Sequence, residues 1–194
     1  MTNQKQSNDR GFSLIELMIA MVVLLIGLGG LLVLLVSALY TNKTAGTDTS
    51  STMIAEHVLE QITAQGLQAT TPLTITDCTY PTPVTTNFAT NPAVLGSGNS
   101  GANGGNGATL TANGIIDWTQ AYASVPTDPV SGYPYAIQYT GCGTGGSQAV
   151  YDVRWNVISM SSNDRLIVIG ARPANATVNG GLRFVMPANL RTID

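Results

Sequence analysis

The chain has 194 residues and a formal net charge of −3; only 10% of its residues are charged, whereas 44% are hydrophobic. No basic cluster occurs, so the composition gives no support to nucleic-acid binding. His57 is the only histidine. The sequence therefore predicts no catalytic, metal or cofactor-binding residues and no enzymatic activity.

A short polar leader meets a long apolar segment at residues 11–16. The leader contains Lys5 and Arg10, whereas residues 17–39 carry no charge at all. Glu16 is therefore the single charge in the apolar block. A carboxylate costs about 2.5–3.5 kcal/mol at the middle of a bilayer and less near its edge, so Glu16 is expected to have a cationic partner.

The residues at this border form a recognisable order: Gly11, Phe12, Ser13, Leu14, Ile15 and Glu16. They resemble the leader-cleavage signal of type IV prepilins and type II secretion pseudopilins. The resemblance implies that a prepilin peptidase cuts between Gly11 and Phe12 and N-methylates Phe12. It also implies that Glu16 directs subunit assembly by neutralising the N-terminal amine of a neighbouring subunit. An ordinary signal anchor that happens to contain these residues is the alternative.

Residues 12–40 are predicted to form a transmembrane helix that later becomes part of a filament core. A secretory signal is cut after its apolar region, whereas this cut would precede that region and leave the helix in place. From Phe12 to Leu39 a helix spans about 42 Å, more than the roughly 30 Å hydrocarbon core. The basic leader predicts a cytoplasmic N-terminus. Together with the resemblance to type IV prepilins, this orientation implies a single pass through the inner membrane and a periplasmic domain that is later displayed on a pilus.

Residues 41–66 are predicted to continue the helix with an amphipathic pattern, since Ile54, Val58 and Ile62 recur at helical spacing. The Thr- and Ser-rich residues 47–52 form helices weakly, so a bend or local unwinding there is an alternative to a straight helix. Gly66 is the expected stop of the helix.

Residues 67–194 are predicted to form a globular pilin domain. Its cysteines, Cys78 and Cys142, are expected to form a disulfide if the domain is periplasmic. Closing a loop of about 64 residues would contribute roughly 4 kcal/mol. Two buried thiols are the alternative. Residues 96–107 are rich in Gly and Asn and are expected to be a flexible loop.

The C-terminal half carries strand patterns. Residues 149–157 alternate and predict a half-buried strand. Its predicted core side consists of Tyr151, Val153, Trp155 and Val157, and its predicted solvent side of Asp152, Arg154 and Asn156. Further strands are expected at 135–139, 165–171 and 182–186, with turns at 161–164 and 179–181. The expected fold is α+β and pilin-like, with a long N-terminal helix, transmembrane in its first half, packed on a small antiparallel C-terminal sheet.

The strand from Tyr151 to Val157 is similar to that of PilV-type minor pilins and of type II secretion pseudopilin I. Residues 24–31 also resemble the helix of PilV-type proteins. This resemblance implies a minor pilin that takes part in the initiation, or priming, of type IV pilus assembly. The implied partners are the prepilin peptidase, other minor and major pilins, and the pilus assembly platform. The alternatives are a type II secretion or competence pseudopilin, and a pilus-displayed adhesin that binds through residues 96–107.

Overall fold

The computed structural model describes residues 13–66, 72–91, 105–142, 148–161, 164–174 and 188–193. Within these ranges the chain forms one long helix, α1 (Leu14–Thr63), and seven β-strands. The chain divides into two compact units, with the boundary after Lys43. The predicted combination of a long N-terminal helix and antiparallel strands is confirmed.

Helix α1 starts where the sequence turns apolar. The carbonyl of Ser13 accepts the N–H groups of Glu16 and Leu17 at 3.0 and 3.2 Å, which closes the first turn. The helix then continues without a break through residues 47–52. The unwinding considered for that segment is therefore not seen in this structure.

The end of α1 is held by a distant arginine rather than by a glycine. The helix ends at Thr63, three residues before Gly66. Gly66 does not have the positive φ that is typical of a glycine at a helix C-terminus. Instead Arg165, which is only 1% exposed, donates from Nη2 to the carbonyl oxygens of Ile62 (2.8 Å) and Gln65 (2.5 Å). A cation at a helix C-terminus also interacts favourably with the helix dipole. Arg165 therefore links the helix end to the sheet.

Replacing Arg165 with methionine is expected to destabilise the domain by about 1.5–3 kcal/mol, because one buried and one partly buried carbonyl lose a charged donor. Thermal unfolding of the full chain should show a fall in Tm of roughly 5 °C. Arg165→Lys keeps the charge and one donor group, so it should lose less stability than the methionine variant. Equal losses in the two variants would contradict the capping role.

Two antiparallel sheets follow the helix. Strands β1 (Leu73–Thr76) and β2 (Thr85–Phe88) pair as a hairpin, with Leu73 opposite Phe88. The second sheet contains β3 (Asn106–Gly107), β4 (Ala136–Thr140), β5 (Val150–Ser159), β6 (Arg165–Pro173) and β7 (Ala188–Ile193). Its order is β3-β5-β6-β7, and β4 also pairs with β5. The strands expected at 135–139, 149–157 and 165–171 are confirmed as β4, β5 and β6; the turn at 179–181 and the strand at 182–186 lie outside the described residues.

Trp155 lies at the centre of the core. It is fully buried on β5 opposite Ile169 of β6, and its ring meets Phe88 edge-on with centroids 5.6 Å apart. Its Nε1 donates to the carbonyl of Ala89 at 2.8 Å. Ala55, Val58 and Ile62 of α1 are fully buried in the same core. The predicted apolar face of the helix is thus the face that packs into the domain.

The second face of β5 is also buried, which corrects the prediction of a half-buried strand. Asp152, Arg154 and Asn156 are 4%, 1% and 0% exposed. The segment from 105 to 128 contacts two of them: Arg154 Nη1 donates to Gln120 O at 2.6 Å and Asn156 Nδ2 to Ala108 O at 2.8 Å. The alternation in the sequence therefore marked two buried faces of different polarity.

The sequence predicted a flexible loop at residues 96–107. Its last two residues, Asn106 and Gly107, instead form strand β3 and pair with β5. Gly107 lies opposite Asn156 and has φ +118°, a conformation that other residues rarely adopt. A Cβ at this position would overlap the carbonyl oxygen of Trp155. Gly107 therefore allows close packing of the two backbones. The rest of the expected loop, residues 96–104, lies outside the described residues.

Candidate functional site

The first half of α1 presents an apolar surface that nothing in the described structure covers. Every large apolar side chain from Leu14 to Tyr40 is at least 50% exposed. The segment is long and apolar enough to cross a membrane, and none of its most apolar part is buried in the chain. Removing apolar surface from water lowers the free energy by about 25 cal/mol per Å². The first half of α1 is therefore expected to be surrounded by lipid or by other apolar helices.

Glu16 lies in the first turn of this helix and is exposed. The next charged residue along the chain is Lys43, more than seven turns away at 3.6 residues per turn. Helical geometry therefore leaves Glu16 without a cation from the rest of the apolar half. Gly11 and Phe12, the predicted cleavage and methylation residues, lie outside the described residues.

The two cysteines are brought together in the domain. Cys78 and Cys142 form a disulfide with their Cα atoms 5.0 Å apart. Cys78 follows β1 and Cys142 follows β4, so the bond joins the hairpin to the larger sheet. The side chain of Gln148 supports this junction, since it donates to the carbonyl of Cys78 and accepts the N–H of Tyr80 at 3.0 Å.

Asp77 holds the turn between β1 and β2. Its carboxylate accepts the N–H and hydroxyl of Thr79 at 3.1 and 2.9 Å and the N–H of Val84 at 3.1 Å. Burial raises the pKa of Asp77. Hydrogen bonds from Thr79, Val84 and Thr140 together lower it by more, so the pKa lies below its ordinary value. The carboxylate is therefore ionised at neutral pH and serves the turn.

Because its folded-state pKa is lowered, Asp77 contributes stability above its unfolded-state pKa of about 3.9, and this stability is lost as the pH falls through the lower folded value. Asp77→Asn should therefore lower Tm at pH 7, and the gap between variant and wild type should narrow below about pH 4. Thermal unfolding from pH 7 to pH 2 measures this gap. A gap that stays constant over the whole range would contradict the role given to the charge.

Two further carboxylates, those of Asp117 and Asp128, also hold turns. Asp117 accepts the hydroxyl and N–H of Thr119, which lower its pKa. At Asp128 burial raises the pKa, but hydrogen bonds from Ser131 and Asn91 lower it more strongly. Each carboxylate is thus engaged in its own turn.

His57 is exposed on α1 and hydrogen-bonded to Gln61 at 2.9 Å. The described residues contain no cluster of His, Cys, Asp and Glu side chains that could hold a metal ion.

A buried charged cluster on β5 was not predicted from the sequence. Arg154 binds Asp152 through two hydrogen bonds of 2.8 and 2.6 Å, and its guanidinium lies 5.2 Å from the ring centre of Trp118. Arg172 approaches Asp152 at 3.5 Å and stacks on the same ring at 4.6 Å. The spacing of Asp152 and Arg154, two residues apart on one strand face, is a signal for this pair. Its closed geometry marks it as structural.

Comparison with known proteins identifies the N-terminal segment. A family model described as the prokaryotic N-terminal methylation motif matches residues 6–32. The match includes the leader border, Glu16 and most of the apolar helix, whereas the domain lies outside it. No curated protein and no solved structure matches the chain.

The matched motif and the uncovered apolar helix point to the same conclusion. The motif marks a substrate of prepilin peptidase that assembles with other pilins, and the apolar helix serves as a membrane anchor. The domain that follows it in the sequence has the α+β arrangement expected of a pilin. The N-terminal segment of the chain therefore carries the methylation motif of type IV prepilins and pseudopilins.

Proposed function

We propose that this protein is a PilV-type minor pilin that takes part in the initiation of type IV pilus assembly. The observation that carries the proposal is the lone carboxylate of Glu16 at the start of an apolar helix that none of the described residues covers. The resemblance of the strand from Tyr151 to Val157 to minor pilins supports the subtype. The mechanism is assembly rather than chemistry.

Two physical demands meet at the helix start. The apolar surface must remain in lipid or pack against other helices, and the carboxylate must find a cation in either environment. Cleavage after Gly11 would free the amine of Phe12, which supplies that cation. The partial positive charge of the helix N-terminus also favours the carboxylate there. Glu16 of one subunit is proposed to neutralise Phe12 of its neighbour.

The proposed topology follows from the leader and the disulfide. Residues 1–11 would be a cytoplasmic leader, 12–40 the membrane and filament helix, 41–66 its continuation, and 67–194 a periplasmic domain displayed outside the cell after assembly. The basic leader favours a cytoplasmic N-terminus. A Cys78–Cys142 disulfide persists in an oxidising compartment, which supports the periplasmic location of the domain.

Glu16→Leu tests the assembly role. The variant should insert in the membrane and lose its leader normally, but its incorporation into filaments should fall at least about tenfold, which corresponds to roughly 1.4 kcal/mol. Glu56→Leu is the matched control, because Glu56 is exposed on the same helix beyond the apolar half. Immunodetection of the protein in sheared filaments and in membranes gives both quantities. Normal incorporation of Glu16→Leu would refute the role.

A pseudopilin of a type II secretion or competence system is the second candidate, because the same motif and helix serve those machines. Deletion of the gene separates the candidates by phenotype. Loss of surface pili with normal secretion and DNA uptake supports the minor pilin. Normal piliation with lost secretion or DNA uptake would overturn it in favour of the pseudopilin.

A further inference from the structure

Four consecutive hydroxyl side chains on α1 bond back to the helix carbonyls. Each donates to the oxygen four residues earlier, at 2.9–3.0 Å. The pairs are Thr49 to Ala45, Ser50 to Gly46, Ser51 to Thr47 and Thr52 to Asp48. We call residues 45–52 the hydroxyl turn. Because the four donors are consecutive, they surround the helix over one complete turn.

These hydroxyl bonds weaken the helix at this point. Each carbonyl of the turn already accepts the backbone N–H four residues later, so the hydroxyl competes for the same oxygen. When the backbone bond opens, the hydroxyl can still satisfy the carbonyl, which lowers the cost of opening. Ser, Thr, Asp and Gly also have poor helix propensities.

Gly46 adds to this weakness without a packing reason. A Cβ at Gly46 would meet no described atom within 4 Å beyond the backbone of its own helix, so alanine would fit at this position. Gly107, in contrast, is required by its contact with Trp155. The glycine in the hydroxyl turn therefore lowers helix stability without a gain in packing.

No apolar residue of the hydroxyl turn belongs to the described core. It follows the apolar half of α1, which ends near Tyr40, and precedes Ala55, the first fully buried apolar residue of the helix. Among its side chains only Ser51 is buried. The following turns, in contrast, are held by Ala55, Val58 and Ile62.

We propose that the hydroxyl turn is a built-in point of local opening in α1. The helical segments on both sides stay intact while the amide bonds of residues 49–52 break. Opening at this point allows the apolar half to pass between lipid and a helix assembly without unfolding the packed residues 55–62. This inference concerns the isolated chain, so its test does not depend on whether the minor-pilin assignment holds.

Hydrogen exchange of the full chain in detergent micelles, read by mass spectrometry, tests the proposal. The amides of residues 49–52 are expected to exchange at least about 100-fold faster than those of 58–62, since local opening is far less costly than opening of packed helix. The triple variant Gly46→Ala, Thr49→Ala, Thr52→Ala should slow exchange in the turn about tenfold and leave residues 58–62 unchanged.

Thr41→Ala is the matched control, because Thr41 also bonds back to a carbonyl, that of Ser37 at 3.0 Å, but stands outside the array. It should leave exchange in residues 49–52 unchanged. Equal protection of residues 49–52 and 58–62 in the wild type overturns the proposal, and this comparison needs no variant. An unchanged exchange rate in a folded triple variant overturns it as well.

Discussion

Replacing Gly11 with valine is expected to leave the chain uncleaved, with residues 1–11 retained. Glycine has no Cβ, so the backbone at the Gly11–Phe12 bond can approach the peptidase closely, whereas valine adds a branched side chain at that point. Cleavage should slow at least about tenfold, equivalent to about 1.4 kcal/mol in the activation barrier. The ratio of precursor to mature protein on immunoblots measures the effect.

Gly29→Ala provides the control for this experiment. Gly29 belongs to the same N-terminal segment, and a Cβ there would meet no atom of the described residues within 4 Å beyond the backbone of its own helix. Its variant should be cleaved at the wild-type rate. If Gly11→Val is cleaved as completely as Gly29→Ala in cells with active peptidase, the cleavage site has been placed wrongly.

Arg154→Met is expected to cause the largest loss of stability in the domain, about 3–5 kcal/mol, because it leaves the buried carboxylate of Asp152 without its main partner. The guanidinium also donates to the carbonyl of Gln120, so the segment from 105 to 128 loses one of its attachments to the sheet. The fall in Tm should be roughly 10 °C. Thermal unfolding of the full chain followed by circular dichroism measures it.

Arg172→Met is the matched control on the neighbouring strand. The side chain of Arg172 is 25% exposed and lies 3.5 Å from the same carboxylate. Partly exposed ion pairs contribute about 0–1 kcal/mol, so this variant should change Tm by only a few degrees. Equal Tm losses in the two variants would show that the desolvated Arg154–Asp152 pair has no special importance.

The elements with a clear apolar period could be predicted from the sequence. Residues 14–63 and strands β4, β5 and β6 carry such periods, and the structure places them close to the predicted bounds. The hairpin of β1 and β2 was not predicted, because half of residues 73–88 are threonine or proline and its strands are only four residues long. Its fold depends instead on Asp77 and on packing of Phe88 against Trp155.

The covered second face of β5 shows why the remaining features could not be predicted. Charged residues are mostly exposed in proteins, so an alternating Asp152, Arg154 and Asn156 indicated solvent. The segment that covers them is irregular and has no period of its own, and its attachments, Gln120 to Arg154 and Ala108 to Asn156, join distant parts of the chain. The cap of α1 by Arg165 has the same non-local character.

The N-terminal site is the opposite case, because it is contiguous in sequence. Cleavage signal, charge and apolar helix all occur within residues 5–40, so their order alone carries the prediction. The cluster around Arg154, in contrast, exists only after folding. A site that depends on linear order can therefore be predicted from one sequence, whereas a site that depends on tertiary contacts cannot.

Intact mass spectrometry of the mature protein, purified from cells with an active prepilin peptidase, tests the central claim most directly. We expect a chain that begins at Phe12 and carries one methyl group on its N-terminal amine, so that this amine can meet Glu16 of a neighbour. A mature chain that still carries residues 1–11 would contradict it.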